Sequence, residues 1–241
     1  MLENIKLSNV LFLDIETVPI EKSFDELPEK LKYHWDRKSA RFRDENESAD
    51  DVFNRAGIYS EFGKIICISV GVVHYSDQQK HFRIKSFFGD DEKELLNRFA
   101  DLINKMEKNG EVYLAAHNGK EFDFPFIARR MLVNSVKLPS VLDVPGKKPW
   151  EVKFIDTMEL WKFGDYKHFT SLDLLTHIFD IPTPKDDIDG SMVGKVYWED
   201  GDLERIVQYC EKDVLAVVQL FLRYRGEDLI NQEAVESVSN D

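Results

Sequence analysis

The chain has 241 residues, a formal net charge of −13 and a 43% hydrophobic composition, ample for one large core. This acidity argues against broad coating of nucleic acid, because phosphate binding relies on Lys and Arg, but it does not exclude a nucleic-acid enzyme. No run approaches the roughly 18 apolar residues of a membrane span, and no secretory layout opens the chain, so we expect a soluble cytoplasmic protein. Cys67 and Cys210 make neither a disulfide framework nor a zinc cluster, and we predict reduced, mainly structural thiols.

Residue patterns predict an α/β fold with a mixed five-stranded sheet flanked by helices. The predicted strands are 10–16, 64–73, 81–88, 111–117 and 153–156. The predicted helices are 90–109, 123–131, 170–179 and 202–223. Their order along the chain is three strands, then helix and strand in alternation, and finally two helices.

The elements indicate a single domain over residues 1–225. Residues 22–63 form an insertion between the first two strands, polar and helical around 28–43. We expect its aromatic residues to anchor it: Phe24, Tyr33, Trp35, Phe53 and Tyr59. Residues 226–241 are acidic and lack a strong apolar face, which predicts a flexible tail.

The first motif places two carboxylates on a strand that is otherwise apolar. Alternate strand residues point to the same face, so Asp14 and Glu16 project together while Ile15 faces away. Burying two neighbouring anions costs several kcal/mol each unless a cation or donor compensates. The pair therefore predicts half of a metal site, although an isolated pair of this kind also occurs where a strand end meets water.

The second motif, HNGKEFDFPF, runs from a strand end through a glycine turn to Asp123 at a helix start. Sheet enzymes place ligands at such corners. An Asp before a helix with Pro125 in its first turn is also a common N-cap, and this alternative stays open.

The third motif lies within the last helix. Residues four apart share a helix face, so the hydroxyl of Tyr209 and the carboxylate of Asp213 can converge on one point. Many long helices carry such a pair, so this spacing means little by itself.

Taken together, the three motifs resemble the DEDD superfamily of 3′–5′ exonucleases, which has a ribonuclease H-like fold. The matching segments DIET, NGKEFDFP and YCEKD supply Asp14, Glu16, Asp123, Tyr209 and Asp213. The order is most similar to the proofreading exonuclease domain of family-B DNA polymerases, and the resemblance spans residues 8–222. Gln208 stands where the histidine subgroup has its His, which indicates the tyrosine subgroup.

The resemblance implies catalysis with two divalent cations, Mg²⁺ or Mn²⁺, which carboxylate oxygens suit. In this assignment Asp14 bridges both ions. Glu16 and Asp213 hold chiefly the water-activating ion, and Asp123 holds the other through a coordinated water. Tyr209 orients the attacking water, since a free tyrosine titrates near 10 and is a poor base at neutral pH.

The resemblance also implies three substrate contacts. The backbone at Thr17 would face the terminal nucleotide, with Asn118 and Phe122 beside the last bases. Phe122 could stack on any base, but its residue type favours a place in the core.

Other polar residues are predicted to lie outside the site. His117 and His168 are interpreted as hydrogen-bonded structural groups, because the tyrosine motif leaves no vacancy for a histidine base. Asp156 and Lys185 match the family only loosely and are left out. Residues 119–168 carry a small excess of Lys and Arg, which could form a basic track for a short single strand.

The predicted function is a free-standing, metal-dependent 3′–5′ exonuclease that releases 5′-mononucleotides from single-stranded DNA. A separate polymerase or repair protein is a possible partner. The alternatives are a DEDD exoribonuclease, because motifs do not report tolerance of the 2′-hydroxyl, and a catalytically weak module that binds nucleic acid or docks a partner.

Overall fold

The computed structural model describes residues 2–76, 79–165, 169–182 and 187–238. Its centre is a mixed sheet in the order β5-β4-β1-β2-β3-β6. The strands are β1 Val10–Pro19, β2 Gly63–Ser76, β3 Gln79–Phe88, β4 Tyr113–Ala116, β5 Phe154–Asp156 and β6 Val235–Ser237. β2 runs antiparallel to both β1 and β3, and the other neighbouring strands pair in parallel.

Helices flank both faces of this sheet. They are α1 Glu29–Ser39, α2 Glu92–Asn109, α3 Asp123–Val133, α4 Thr157–Lys162, α5 Leu172–Ile178, α6 Val193–Lys195 and α7 Leu203–Arg225. A π-helical turn, Val196–Asp200, follows α6. Among the described residues, no helix combines the length and the apolar character needed to cross a membrane.

The central strand β1 supplies residues to two cores. Leu11, Leu13 and Ile15 pack with residues of α2 and α3. Val10 and Phe12 pack on the opposite face against α7. Because side chains alternate along a strand, the acids that follow on the same side as Phe12 face α7.

The predicted α/β architecture and the order of its first five strands are confirmed. The short helices α4 and α6 were not predicted, because each has too few residues to show a helical period. The sheet has six strands rather than five, because residues after α7 return to its edge.

The expected flexible tail is wrong for residues 226–238. Gln219 on α7 donates to the carbonyl of Ile230 at 2.7 Å and accepts its N–H at 2.9 Å. Ile230 is buried, and β6 then pairs with the open edge of β3. An unpaired strand edge offers hydrogen bonds to any extended segment that reaches it. Residues 239–241 lie outside the described residues.

The insertion 22–63 has a small core of its own. Trp35 on α1 is fully buried, donates from Nε1 to the carbonyl of Ala49 at 2.8 Å, and contacts the rings of Phe53 and Tyr59. Tyr33 was expected to help anchor the insertion, but it is 57% exposed. It lies two residues from Trp35 on the helix, so it points to a different face.

The insertion is packed closely against the end of β1. Gly57 lies in the 3₁₀ helix Phe53–Ile58, and a Cβ atom there would be 3.2 Å from the backbone of Val18 and 3.3 Å from the ring of Pro19. This close approach fixes the insertion beside the strand that carries the first motif.

Candidate active site

The two acids of the first motif lie near the end of β1, on the side that faces α7. Asp14 is opposite Ser69 of β2, and Glu16 is opposite Cys67. The strand register shifts directly after Glu16, which marks a β-bulge. Bulges are frequent next to active sites, where they redirect the chain.

Asp123 is the first residue of α3, and its side chain is 3% exposed. It accepts a hydrogen bond from the backbone N–H of Ile15, which ties it to β1. Its other oxygen, Oδ1, is buried without a hydrogen-bond partner among the described residues. The helix is capped by Phe122, with no side-chain cap, so the N-cap alternative for Asp123 is wrong.

Helix α7 brings the third motif over the same end of the sheet. The hydroxyl of Tyr209 hydrogen-bonds to the carboxylate of Asp213. Burial, and then the charges of Asp213, Glu16 and Asp14, hold the pKa of Tyr209 well above its ordinary value. The tyrosine is therefore protonated at neutral pH.

The acids are close enough to shift one another's ionisation. Burial, followed by repulsion among the carboxylates, raises the pKa of Asp14 and of Glu16 well above the usual range. Burial also raises the pKa of Asp123 to about 7, and the charges of Asp156 and Asp213 add to the rise. Carboxylates in such a setting ionise readily only when a positive charge lies beside them.

This arrangement fits divalent cations. Donor atoms of Asp14, Glu16 and Cys210 lie within 4.8 Å of one another. The carboxylate oxygens are hard ligands of the kind that Mg²⁺ and Mn²⁺ prefer, and the unpartnered oxygen of Asp123 adds a further donor nearby. The structure thus gathers all four predicted acids and the tyrosine into one place.

Sequence analysis missed the position of the two thiols. The sulfur of Cys210 lies 3.4 Å from Oδ2 of Asp14, and it hydrogen-bonds with Cys67. Both thiols are free and buried. Cys210 precedes Asp213 by three residues, so their shared helix face was the available signal.

Asp156 is the second residue that sequence analysis left out of the site. At the end of β5 its carboxylate accepts the backbone N–H groups of Asn118 and Lys120, each at 3.0 Å, and it also caps α4 through Met158. The available signal was an acid at the end of a strand. Asp156 thus shapes the turn between β4 and Asp123.

The three residues predicted to contact the substrate differ in their burial and in their neighbours. Thr17 follows the bulge and is partly buried. Asn118 has a left-handed backbone, with φ of 62°, and its Oδ1 is buried without a partner among the described residues. Phe122 is half-buried against the core, 5.5 Å from the ring of Phe126. The substrate roles of these three residues stay predictions.

His117 is a structural group, as predicted. Its Nδ1 lies 2.9 Å from the hydroxyl of Thr157 and its Nε2 lies 2.9 Å from the carbonyl of Thr170, so both ring nitrogens are engaged. Burial lowers its pKa. His168 and Lys185 lie outside the described residues.

The basic track suggested for 119–168 is interrupted. Arg130 is buried in an ion pair with Glu92. Lys120 pairs with Glu159, and Lys153 pairs with Glu111, which lies just before β4. Cations engaged by acids are poorly placed to bind phosphates.

Comparison with known proteins gives two findings. Residues 58–239 match the family described as predicted 3′–5′ exonucleases related to the exonuclease domain of PolB. The matched segment includes Asp123, Tyr209 and Asp213. It begins after Asp14 and Glu16, so the first motif lies outside the match and is linked to the other two motifs by its position in the structure.

The structure also resembles a family B DNA polymerase from the hyperthermophilic archaeon Pyrobaculum calidifontis, with a TM-score of 0.51 and 15% sequence identity. The similarity covers 89% of this chain and 24% of the polymerase chain, so the chain spans about a quarter of that protein. The ribonuclease H-like fold is thereby confirmed. With more than half of its length matched, the chain belongs to the family of predicted 3′–5′ exonucleases related to the exonuclease domain of PolB.

Proposed function

We propose that the protein is a metal-dependent 3′–5′ exonuclease that removes 5′-mononucleotides from single-stranded DNA. One observation carries the proposal: acids from β1, α3 and α7 lie close enough to raise one another's pKa, and a buried oxygen of one of them, Asp123, has no partner among the described residues. Within the described part of the chain, the side chains that shift the pKa of Asp14 are three acids, which raise it, and a thiol, which lowers it.

The residues that would hold two divalent cations are the four acids. Asp14 suits a shared ligand, since the charges of Asp123, Asp213 and Glu16 all raise its pKa in addition to burial. Paired divalent cations stabilise negative charge on both the attacking and the leaving oxygen of an in-line displacement at phosphorus.

Tyr209 suits an orienting role. Its hydroxyl donates to Asp213 and stays protonated, so its oxygen can accept one hydrogen bond from a water without removing a proton from it. A fixed water approaches phosphorus in line more often than a free one.

The preference for DNA is supported by the relation to polymerase exonuclease domains. A separate polymerase or repair protein is the partner that we propose on the same ground. The 2′-hydroxyl is read by the shape of the cleft, so RNA is the substrate against which DNA must be compared.

The test is hydrolysis of 5′-labelled single-stranded DNA and of RNA with the same sequence, in Mg²⁺ and in Mn²⁺. We expect shortening from the 3′ end, release of 5′-mononucleotides, faster cleavage of DNA, and no cleavage by Asp14→Asn. Full activity under saturating chelator would overturn the proposal. Tight binding of DNA without any cleavage would favour the binding module instead.

A further inference from the structure

A groove of about 690 Å³ lies between the insertion and the segment that contains α6 and the π-helical turn. Lys22, Arg55 and Ile58 line it from the insertion, and Lys195 and Trp198 line it from the other side. We call this feature the insertion groove. It takes no part in the site described above.

The insertion groove begins close to the acids. Pro19 lines its base and lies three residues beyond Glu16 on β1. At roughly 3.3 Å per strand residue, the separation is about 10 Å, or roughly three stacked nucleotides of a single strand. Trp198 also shares an apolar cluster with Tyr209.

Both walls of the groove rest on the same strand. On one side, Gly57 allows the insertion to approach the backbone of Val18 closely. On the other side, the Cβ position of Gly194 is 4.0 Å from the ring of Pro19. The groove is therefore held in a fixed position relative to the acids that precede these residues on β1.

The cations of the groove are available to an anion. Lys22, Arg55 and Lys195 are exposed, and none forms an ion pair within the described part of the chain. Two acids, Asp50 and Glu199, also line the groove, so the five charges sum to +1. On a chain with a net charge of −13, this makes the groove a local exception.

The groove also offers apolar surface. Ile58 is 52% exposed, and Trp198 is partly exposed. Grooves that track single-stranded nucleic acid combine cations for the backbone with aromatic or apolar surface for the bases. An acidic peptide would use the cations but has no need of a path from the catalytic acids.

We propose that the insertion groove binds the single strand on the 5′ side of the terminal nucleotide, with phosphates near the three cations and bases against Ile58 and Trp198. This inference rests on the proposed function. It gives residues 22–63 a role, namely to supply half of a track that leads the strand into the site.

The test compares long and short substrates. Lys22→Glu, Arg55→Glu and Lys195→Glu, singly and together, are assayed on single-stranded DNA of about 12 nucleotides, within the range of site sizes of such grooves, and on a dinucleotide. Lys105→Glu is the matched control, because Lys105 is an exposed lysine of α2 that does not line the groove. Binding of the longer strand is measured separately by fluorescence anisotropy in the Asp14→Asn background.

We expect each groove variant to lower kcat/KM on the longer strand several-fold, and to reduce the slope of log K against log salt by about 0.7 per cation lost. Turnover of the dinucleotide by the groove variants should be unchanged. The control variant should match the wild type on both substrates. Equal behaviour of all variants on the longer strand, in folded protein, would overturn the inference while the proposed function stands. If the wild type cleaves neither substrate, the proposed function fails, and anisotropy alone decides whether the groove binds the strand. Binding of polyglutamate at the groove, without binding of DNA, would assign it to an acidic protein partner and overturn the inference.

Discussion

The carboxylate of Asp156 accepts the backbone N–H of Asn118 at 3.0 Å and so fixes the turn that leads to Asp123. We predict that Asp156→Ala lowers kcat about tenfold or more, because small misplacements of a catalytic group cost activity steeply. The loss of the α4 cap contributes about 0.5–2 kcal/mol to the fall in the free energy of unfolding, and the N–H groups of Asn118 and Lys120, left without their acceptor, add to that fall.

The control for this prediction is Ser171→Ala, which removes the cap of α5 and leaves the turn untouched. It should lower stability by the cap contribution alone, about 0.5–2 kcal/mol, with nearly normal kcat. If both variants lose activity in proportion to their stability, Asp156 is a structural residue and not a positioning residue.

Asp14 and Tyr209 should differ sharply in their importance. We predict that Asp14→Ala abolishes nearly all turnover, because it removes the proposed shared ligand, a carboxylate whose pKa the other three acids all raise. Tyr209→Phe should leave measurable turnover, because an orienting hydrogen bond contributes less than a ligand. The assay is kcat on labelled single-stranded DNA at saturating Mg²⁺, and the opposite ranking would show that the roles are misassigned.

The pH profile gives a second test of Tyr209. Because the pKa of this tyrosine is raised above its ordinary value, the hydroxyl does not ionise in the working range. The residual activity of Tyr209→Phe should therefore follow the same pH dependence as the wild type. An alkaline limb present only in the wild type would indicate that the tyrosine titrates during catalysis.

The stability of the metal-free protein should fall as pH rises. The pKa of Asp123 in the folded state is about 7, above the 3.8 of an ordinary aspartate. Its contribution is complete below about pH 3.8 and is lost as the pH rises through about 7. Between about pH 6 and pH 8, we expect this group alone to lower the free energy of unfolding by about 1 kcal/mol, measured by urea unfolding in chelator.

Two controls accompany the pH prediction. Asp123→Asn should flatten the pH dependence, because the amide does not ionise. Added Mg²⁺ or Mn²⁺ should stabilise the wild type more at the higher pH, where the acids are ionised. A metal-free protein that grows more stable toward pH 8 would contradict the assignment of a buried, crowded carboxylate.

Sequence reasoning reached much of the fold because the main elements carry strong local patterns. β1 opens on four consecutive buried apolar residues, and α7 presents a continuous apolar face, so both were predicted close to their observed bounds. β6 was missed because three residues with one half-buried side chain carry no period. Its position depends on the edge of β3, a tertiary property that local patterns do not contain.

The candidate site shows the same division. Asp14, Glu16, Asp123, Tyr209 and Asp213 could be predicted as site residues because their three sequence motifs resemble those of a known family; their catalytic roles stay predictions. The places of Cys210 and Asp156 depend on tertiary structure, because each contacts a residue of another element. Cys210 contacts Asp14 on β1, and Asp156 contacts Asn118 in the turn after β4. The insertion groove was missed because it joins segments that are far apart in sequence.

The buried ion pair between Glu92 and Arg130 is the strongest candidate for a stabilising polar contact. Arg130 donates from Nε and Nη2 to the two carboxylate oxygens at 2.8 and 2.6 Å, and from Nη1 to the carbonyl of Ser60 at 3.0 Å. Glu92 also accepts the backbone N–H of Ile65 at 2.8 Å. The pair thus connects α2, α3, β2 and the end of the insertion.

We predict that Arg130→Met lowers the free energy of unfolding by about 3–5 kcal/mol, because Glu92 is then a buried charge without its cation. Lys32→Met, which breaks the exposed pair with Glu29, should change it by less than about 1 kcal/mol. The double variant Glu92→Leu with Arg130→Met should recover part of the loss, since no unpaired charge remains. Urea unfolding of the three variants decides the matter: equal losses in Arg130→Met and Lys32→Met would mean that the pair is solvated and contributes little to the position of the insertion.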